Sequence, residues 1–152
     1  MAEFTGTYNA TIDDKGRFVL PSAFKKEMGE MASEPLVIER NIYKTCLDIY
    51  PESYWKIRVE AFKSTLDPFD EDDDEVLQFF YENFKKVEIA GSGRINIPSD
   101  LQEYGGLKKN VRLIGMGKSI RIWDVEKYDN QKMDKSTFAQ RLKEKRKTKA
   151  AE

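Results

Sequence analysis

Ile12-Asp13-Asp14-Lys15-Gly16-Arg17-Phe18-Val19-Leu20-Pro21-Ser22 returns later in the chain as Ile89-Ala90-Gly91-Ser92-Gly93-Arg94-Ile95-Asn96-Ile97-Pro98-Ser99. Glycine, arginine, two apolar positions, proline and serine recur at an offset of 77 (Arg94 minus Arg17). Each copy is followed by an apolar strand pattern and then by a second one ending in an aromatic. These are Leu36-Val37-Ile38 and Cys46-Leu47-Asp48-Ile49-Tyr50 in the first copy, Val111-Arg112-Leu113-Ile114 and Ile120-Arg121-Ile122-Trp123 in the second. A period this long with so few copies indicates a duplicated module and not a solenoid. Duplicating a turn that carries an arginine points to a function that lies in repeating that arginine in space.

Length and composition bound the rest. A chain of 152 residues can bury one ordinary core or two small ones that pack together. With 39% hydrophobic and 35% charged residues, it reads as soluble and globular. No apolar run has membrane-spanning length and no signal segment opens the chain, so a cytoplasmic location is expected. The single cysteine, Cys46, lies in a strand pattern as a small core residue, and no disulfide can form within one chain. Histidine is absent, which removes Ser-His-Asp and Cys-His catalysis and histidine metal sites. No carboxylate or lysine pair stands out, and no cofactor, metal or small-molecule substrate is expected. An enzyme is therefore disfavoured; the lone Gly-x-Gly at Gly115-Met116-Gly117 lacks its helix and third glycine.

The net charge of −1 conceals a strong asymmetry. Residues 1–66 are nearly balanced, 67–84 carry eight acids and no base, and both 85–128 and 129–152 carry an excess of four positive charges. The distribution bears on partners more than the sum does.

Hydrophobic spacing gives an outline of the elements. Thr7 to Ile12 alternates as a half-buried strand, Asp13 to Gly16 is a turn in which Gly16 can supply a positive φ, and Ala23 to Met28 is a short helix stopped by Gly29. Pro51-Glu52 opens a helix running through Leu66, with Trp55, Val59, Phe62 and Leu66 on one face. The acids of 71–75 then begin a second helix where the macrodipole favours negative charge. That helix is expected over about 72–86, burying Val76, Leu77, Phe80 and Phe84, with Lys85-Lys86 at its end, and it forms a hairpin with the first. The second copy repeats the order with a shorter strand connection, and a last helix starts near Asp124. From Arg141 onward there is almost nothing to bury, and a disordered or frayed basic tail is expected.

Two readings fit Asp13-Asp14-Lys15-Gly16-Arg17. In one, Asp13 and Arg17 pair across a tight turn to fix register. In the other, the turn presents Arg17 to an anionic partner while Asp13 orients its guanidinium, whose planar fork suits phosphate or the O6/N7 edge of guanine. The second copy favours presentation, because Gly93-Arg94 persists although Ala90 stands where the partner aspartate would be.

Asp-x-Lys-Gly-Arg followed by apolar residues and Pro, duplicated in this strand order around a helical hairpin, resembles the MraZ family of bacterial transcriptional regulators. Tyr50-Pro51-x-x-x-Trp55 and Ile122-Trp123-Asp124 fit the same pattern, and the resemblance covers roughly residues 4–130. It implies an α+β fold of two β-rich, AbrB-like swapped-hairpin modules with a connecting helical hairpin. The expected boundaries are 4–66 for the first module with its following helix, 67–86 for the acidic linker and second hairpin helix, 87–130 for the second module, and 131–152 for the basic tail. It also implies a nucleoid-associated homo-oligomer, a closed ring, that binds short guanine-containing direct repeats in double-stranded DNA upstream of the division and cell-wall gene cluster. The family's Asp-x-x-x-Arg motif falls on Asp13 and Arg17, with Lys15 inside the turn; in the second module only Arg94 matches, since Ala90 departs from it. Several identical turns on one ring would multiply a weak contact through high effective concentration. The rival reading is a protein-binding adaptor of the same fold, its turn arginines gripping acidic segments. The tail is either a solvated appendage or a non-specific phosphate tether.

Overall fold

The computed structural model describes residues 2–90 and 92–151, so Gly91 in the second turn lies outside the described residues. The first copy supplies β1 (Thr7–Thr11), β2 (Arg17–Val19), α1 (Ser22–Met28), a single 3-10 turn at Gly29–Ser33, β3 (Leu36–Arg40) and β4 (Leu47–Pro51). The hairpin helices α2 (Glu52–Lys63) and α3 (Glu71–Glu82) follow. The second copy supplies β5 (Phe84–Val87), β6 (Arg94–Asn96), α4 (Ser99–Gly105), β7 (Asn110–Gly115) and β8 (Ile120–Asp124), and the chain ends in α5 (Val125–Gln131) and α6 (Lys135–Ala151).

The copies are interleaved. A six-stranded sheet runs β1-β7-β8-β4-β3-β5, and β2 pairs with β6 in a separate ribbon. The first strand of each copy therefore pairs with the third strand of the other: β1 lies against β7 and β5 against β3, both antiparallel. This is the exchange expected of swapped hairpins. The two copies are related by a local two-fold that passes through each central pair. In the ribbon, Phe18 sits opposite Ile95, its own counterpart. In the large sheet, Asp48 sits opposite Arg121, again its own counterpart in strand order.

The inner strands β3 and β4 are buried almost throughout, and Leu36, Ile38, Leu47, Ile49, Leu113 and Ile122 form the centre of the core. Two acids are buried among them. Asp48 accepts from Arg121 Nε at 2.7 Å and from Asn41 Nδ2 at 2.9 Å. Glu39, its neighbour across β3 and β4, is gripped by the Arg58 guanidinium at 3.0 Å. A buried carboxylate is tolerated only when paired in this way.

The helical hairpin closes on an aromatic stack. Phe80 lies parallel to Phe62 at 4.2 Å and to Trp55 at 5.5 Å, and Trp55 also meets Tyr50 at 5.2 Å. Asp70 caps α3, accepting from the Asp73 amide at 3.0 Å, so part of the acidic run serves the helix start.

The outline expected from the sequence needs correction in two places. Helix α3 stops at Glu82, and Phe84 to Val87 form β5, so Lys85 and Lys86 do not sit at a helix terminus. Lys85 instead pairs with Asp100 at 3.0 Å and Lys86 with Glu52 at 2.5 Å. The open edge of β3 offers this segment a full set of hydrogen bonds, which outweighs another helical turn. Val76, placed on the buried face by spacing, is exposed, whereas Phe80 is buried. The second correction concerns the tail. Residues Lys135–Ala151 form a continuous helix, α6. The stretch holds neither glycine nor proline and is rich in Lys, Arg, Gln, Leu and Ala, which favour helix even without a core to join.

Candidate functional site

The turn between β1 and β2 is built by Asp13. Its backbone closes the loop, with the Asp13 amide donating to the Arg17 carbonyl at 2.9 Å and the Gly16 amide to the Asp13 carbonyl at 3.0 Å. Its carboxylate then organises everything inside. Oδ1 accepts from the amides of Lys15 and Arg17, each at 2.9 Å, and Oδ2 accepts from Arg17 Nε at 2.9 Å. The hydrogen bond from the Arg17 amide, reinforced by the guanidinium and the Lys15 amide, holds the Asp13 carboxyl below its usual range. Using Nε for this contact leaves the terminal nitrogens of Arg17 pointing onward, and the side chain keeps 38% of its surface in solvent. The guanidinium is thus oriented before any partner arrives. Lys15 stands exposed on the same turn.

The second turn repeats the two closing backbone hydrogen bonds without the clamp. The Ala90 amide donates to the Arg94 carbonyl at 2.9 Å and the Gly93 amide to the Ala90 carbonyl at 2.8 Å. Ala90 has no carboxylate to offer, and Arg94 is exposed opposite Val19 in the ribbon. Antiparallel pairing of β2 with β6 makes Arg17 and Arg94, the first residues of the two strands, diagonal neighbours on one ribbon; the turn that holds Asp13 and Lys15 lies at one end of it and the second turn at the other.

Each turn is seated against the other copy's short helix. The Ile97 amide donates to the Gly16 carbonyl at 2.9 Å, and Gln102 of α4, itself donating to the Ile97 carbonyl at 2.6 Å, fills the space beside Gly16. Gly16 has φ 82°, and a Cβ there would collide with the pinned Gln102 amide. Gly93, with φ 80°, faces only the ammonium end of Lys25. Gly16→Ala is therefore expected to lower stability by about 1–3 kcal/mol, and Gly93→Ala by less. Urea midpoints of the two variants check the order, and equal losses would show that Gln102 yields as easily as Lys25.

Sequence reasoning missed Lys25, Lys108 and Lys109. Lys25 lies over the second turn, while Lys108 and Lys109 border a shallow recess beside Asp13 and Asp14. Lys25 was findable: its counterpart at the same offset is Gln102, so both belong to the helix that seats the opposite turn. The other two come into reach only because β1 pairs with β7, which brings the Ile12 amide to the Lys109 carbonyl at 2.8 Å.

Among the described residues no helix is long and apolar enough to cross a membrane. A family model described as "MraZ protein, putative antitoxin-like" matches residues 4–80 and again 80–150. A protein of Christiangramia forsetii named "Transcriptional regulator MraZ" is 32% identical over 136 residues, covering 90% of this chain and 87% of its own. Proteins with the same name from Acetivibrio thermocellus (32% over 142 residues, 93% of this chain and 95% of the relative) and Bacteroides fragilis (27% over 144 residues, 95% and 91%) align over nearly the same span.

Proposed function

Since this chain belongs to the MraZ family, we propose that it regulates transcription by binding double-stranded DNA through its turn arginines. The observation that carries this reading is the Arg17 guanidinium, locked by Asp13 where the exposed turn enters β2, with its terminal nitrogens left out of that contact. A planar fork held in that way matches the O6/N7 edge of guanine or a phosphate. Lys15 adds a phosphate contact beside it. Arg94, lacking a carboxylate to fix it, adds charge more than base discrimination.

One such turn binds weakly, so the reading includes a homo-oligomeric ring that sets several turns against short guanine-containing direct repeats. The target region is the division and cell-wall gene cluster, within the cytoplasm and its nucleoid. Exposed apolar side chains support assembly: Phe69, Ile57 and Phe79 on the hairpin are 96%, 59% and 68% exposed. Large apolar side chains left in solvent suit a subunit interface, and head-to-tail contacts whose rotation closes give rings.

The test is a fluorescence-anisotropy titration of a duplex carrying the direct repeats against a scrambled duplex across a salt series, with native mass spectrometry of the free and bound protein. Preference for the repeats, with salt-dependent affinity and a multimeric mass, is the expected result. A monomer that ignores both duplexes but binds acidic protein segments would make the fold an adaptor instead.

A further inference from the structure

Helix α6 is unlike every other helix of this protein. All residues from Phe138 to Ala150 are exposed, and between Arg141 and Lys149 six cations accompany one acid, Glu144. We infer that α6 is a second nucleic-acid contact, a helix that binds the phosphate backbone of duplex DNA without reading its sequence. The inference rests on the DNA-binding reading above but concerns residues that reading does not use.

Three observations carry it. First, the cations are not arranged for docking on protein. At about 100° per residue, Arg141, Lys143, Lys145, Arg146, Lys147 and Lys149 spread over about two-thirds of the circumference. A protein-docking helix needs a one-sided apolar stripe, and past Leu142 this helix has only alanines to bury. A groove walled by phosphates on both sides accepts cations leaving the helix in several directions. Second, the pairs Arg141/Lys145, Lys143/Lys147 and Lys145/Lys149 stand at i,i+4, where like charges destabilise an isolated helix. No packing against the core offsets that repulsion, so a polyanion that neutralises it also strengthens the helix. Third, beyond Lys15 and the neighbouring Lys25, Lys108 and Lys109 the turns carry few cations, and α6 adds six more from which counterions can be released.

The experiment compares the full-length protein with a combined R141Q/K143Q/K145Q/R146Q/K147Q/K149Q variant on the repeat-bearing and scrambled duplexes, from low to physiological salt. Glutamine keeps helix propensity, and α6 contributes nothing to the core, so the melting temperature should not move. The expected result is an affinity lower by roughly a hundredfold on both duplexes at physiological salt, and a log-affinity against log-salt slope shallower by about three, as for three or four lost phosphate contacts. Helical circular dichroism of the parent should also rise on adding duplex, and less so for the variant. An unchanged slope on both duplexes, while Arg17→Ala still loses binding, would overturn the inference and leave the function standing. So would a smaller oligomer with an unchanged slope, which would make α6 a helix between subunits. Failure of the parent to bind either duplex would remove both readings together.

Discussion

Arg17→Ala is expected to abolish selective binding of the direct repeats while leaving fold and assembly intact. Arg17 opens β2 at the end of the turn, and its side chain contacts Asp13 rather than the core, so its removal should hardly move the melting temperature. Loss of a base-directed contact costs about 1–3 kcal/mol per engaged site, and the losses compound when several turns bind at once. Arg17→Lys should fail nearly as completely, because an ammonium keeps the charge but not the fork. Asp13→Ala should weaken binding less than Arg17→Ala but cost some stability, since the Lys15 and Arg17 amides also lose their acceptor. Arg94→Ala should be mildest, there being no carboxylate at Ala90 to orient that guanidinium. The depressed Asp13 pKa fixes the sign of a pH dependence. A carboxylate whose folded pKa lies below its unfolded one contributes fully above the unfolded value, and the contribution is lost as pH falls through the folded one. The clamp should therefore be intact at neutral pH and released only in acid, below the ordinary carboxylate range. Anisotropy titrations of the four variants check the order, and parental affinity for Arg17→Ala at physiological salt would make the turn a structural clasp.

The largest effect on stability is expected at the local two-fold of the large sheet. Asp48 has 4% of its side chain exposed and meets Arg121 at 2.7 Å. Asp48→Ala leaves a guanidinium without its partner and an Asn41 amide without its acceptor, at a cost of about 3–5 kcal/mol. Asp48→Arg should be worse, since two arginines would then face each other across the two-fold. The exchanged pair, Asp48→Arg with Arg121→Asp, should recover much of that loss. Urea denaturation of the two single variants and the double variant measures the coupling directly. An Asp48→Ala midpoint equal to the parent's would show that the pair contributes nothing. The same geometry favours pairing of unlike copies. Two first copies would bring Asp48 against Asp48, and two second copies Arg121 against Arg121, whereas one of each pairs opposite charges.

The sequence carried the parts of this molecule that depend on neighbours in the chain. The duplication is legible as a motif repeated at an offset of 77, and the Asp13 to Arg17 turn, the short Pro-Ser helices and the α2–α3 hairpin follow from spacings of a few residues, where turn chemistry, capping and helical periodicity act. Asp13 and Arg17 are four positions apart, so their contact was legible before any fold was known. The end of α3 was not. Phe84 to Val87 continue a helical pattern well enough, and only the presence of β3, more than forty positions away, makes a strand the better answer (Lys86 opposite Val37). Lys108 and Lys109 beside the first turn, Gln102 behind Gly16, and Asp48 against Arg121 are likewise products of pairing between copies. Local sequence sets which conformations a segment can adopt at low cost, since those terms involve only adjacent residues. Which segments meet is settled by hydrogen bonds and buried apolar surface shared between strands about a hundred positions apart, such as Asn9 and Arg112. No window along the chain contains both partners.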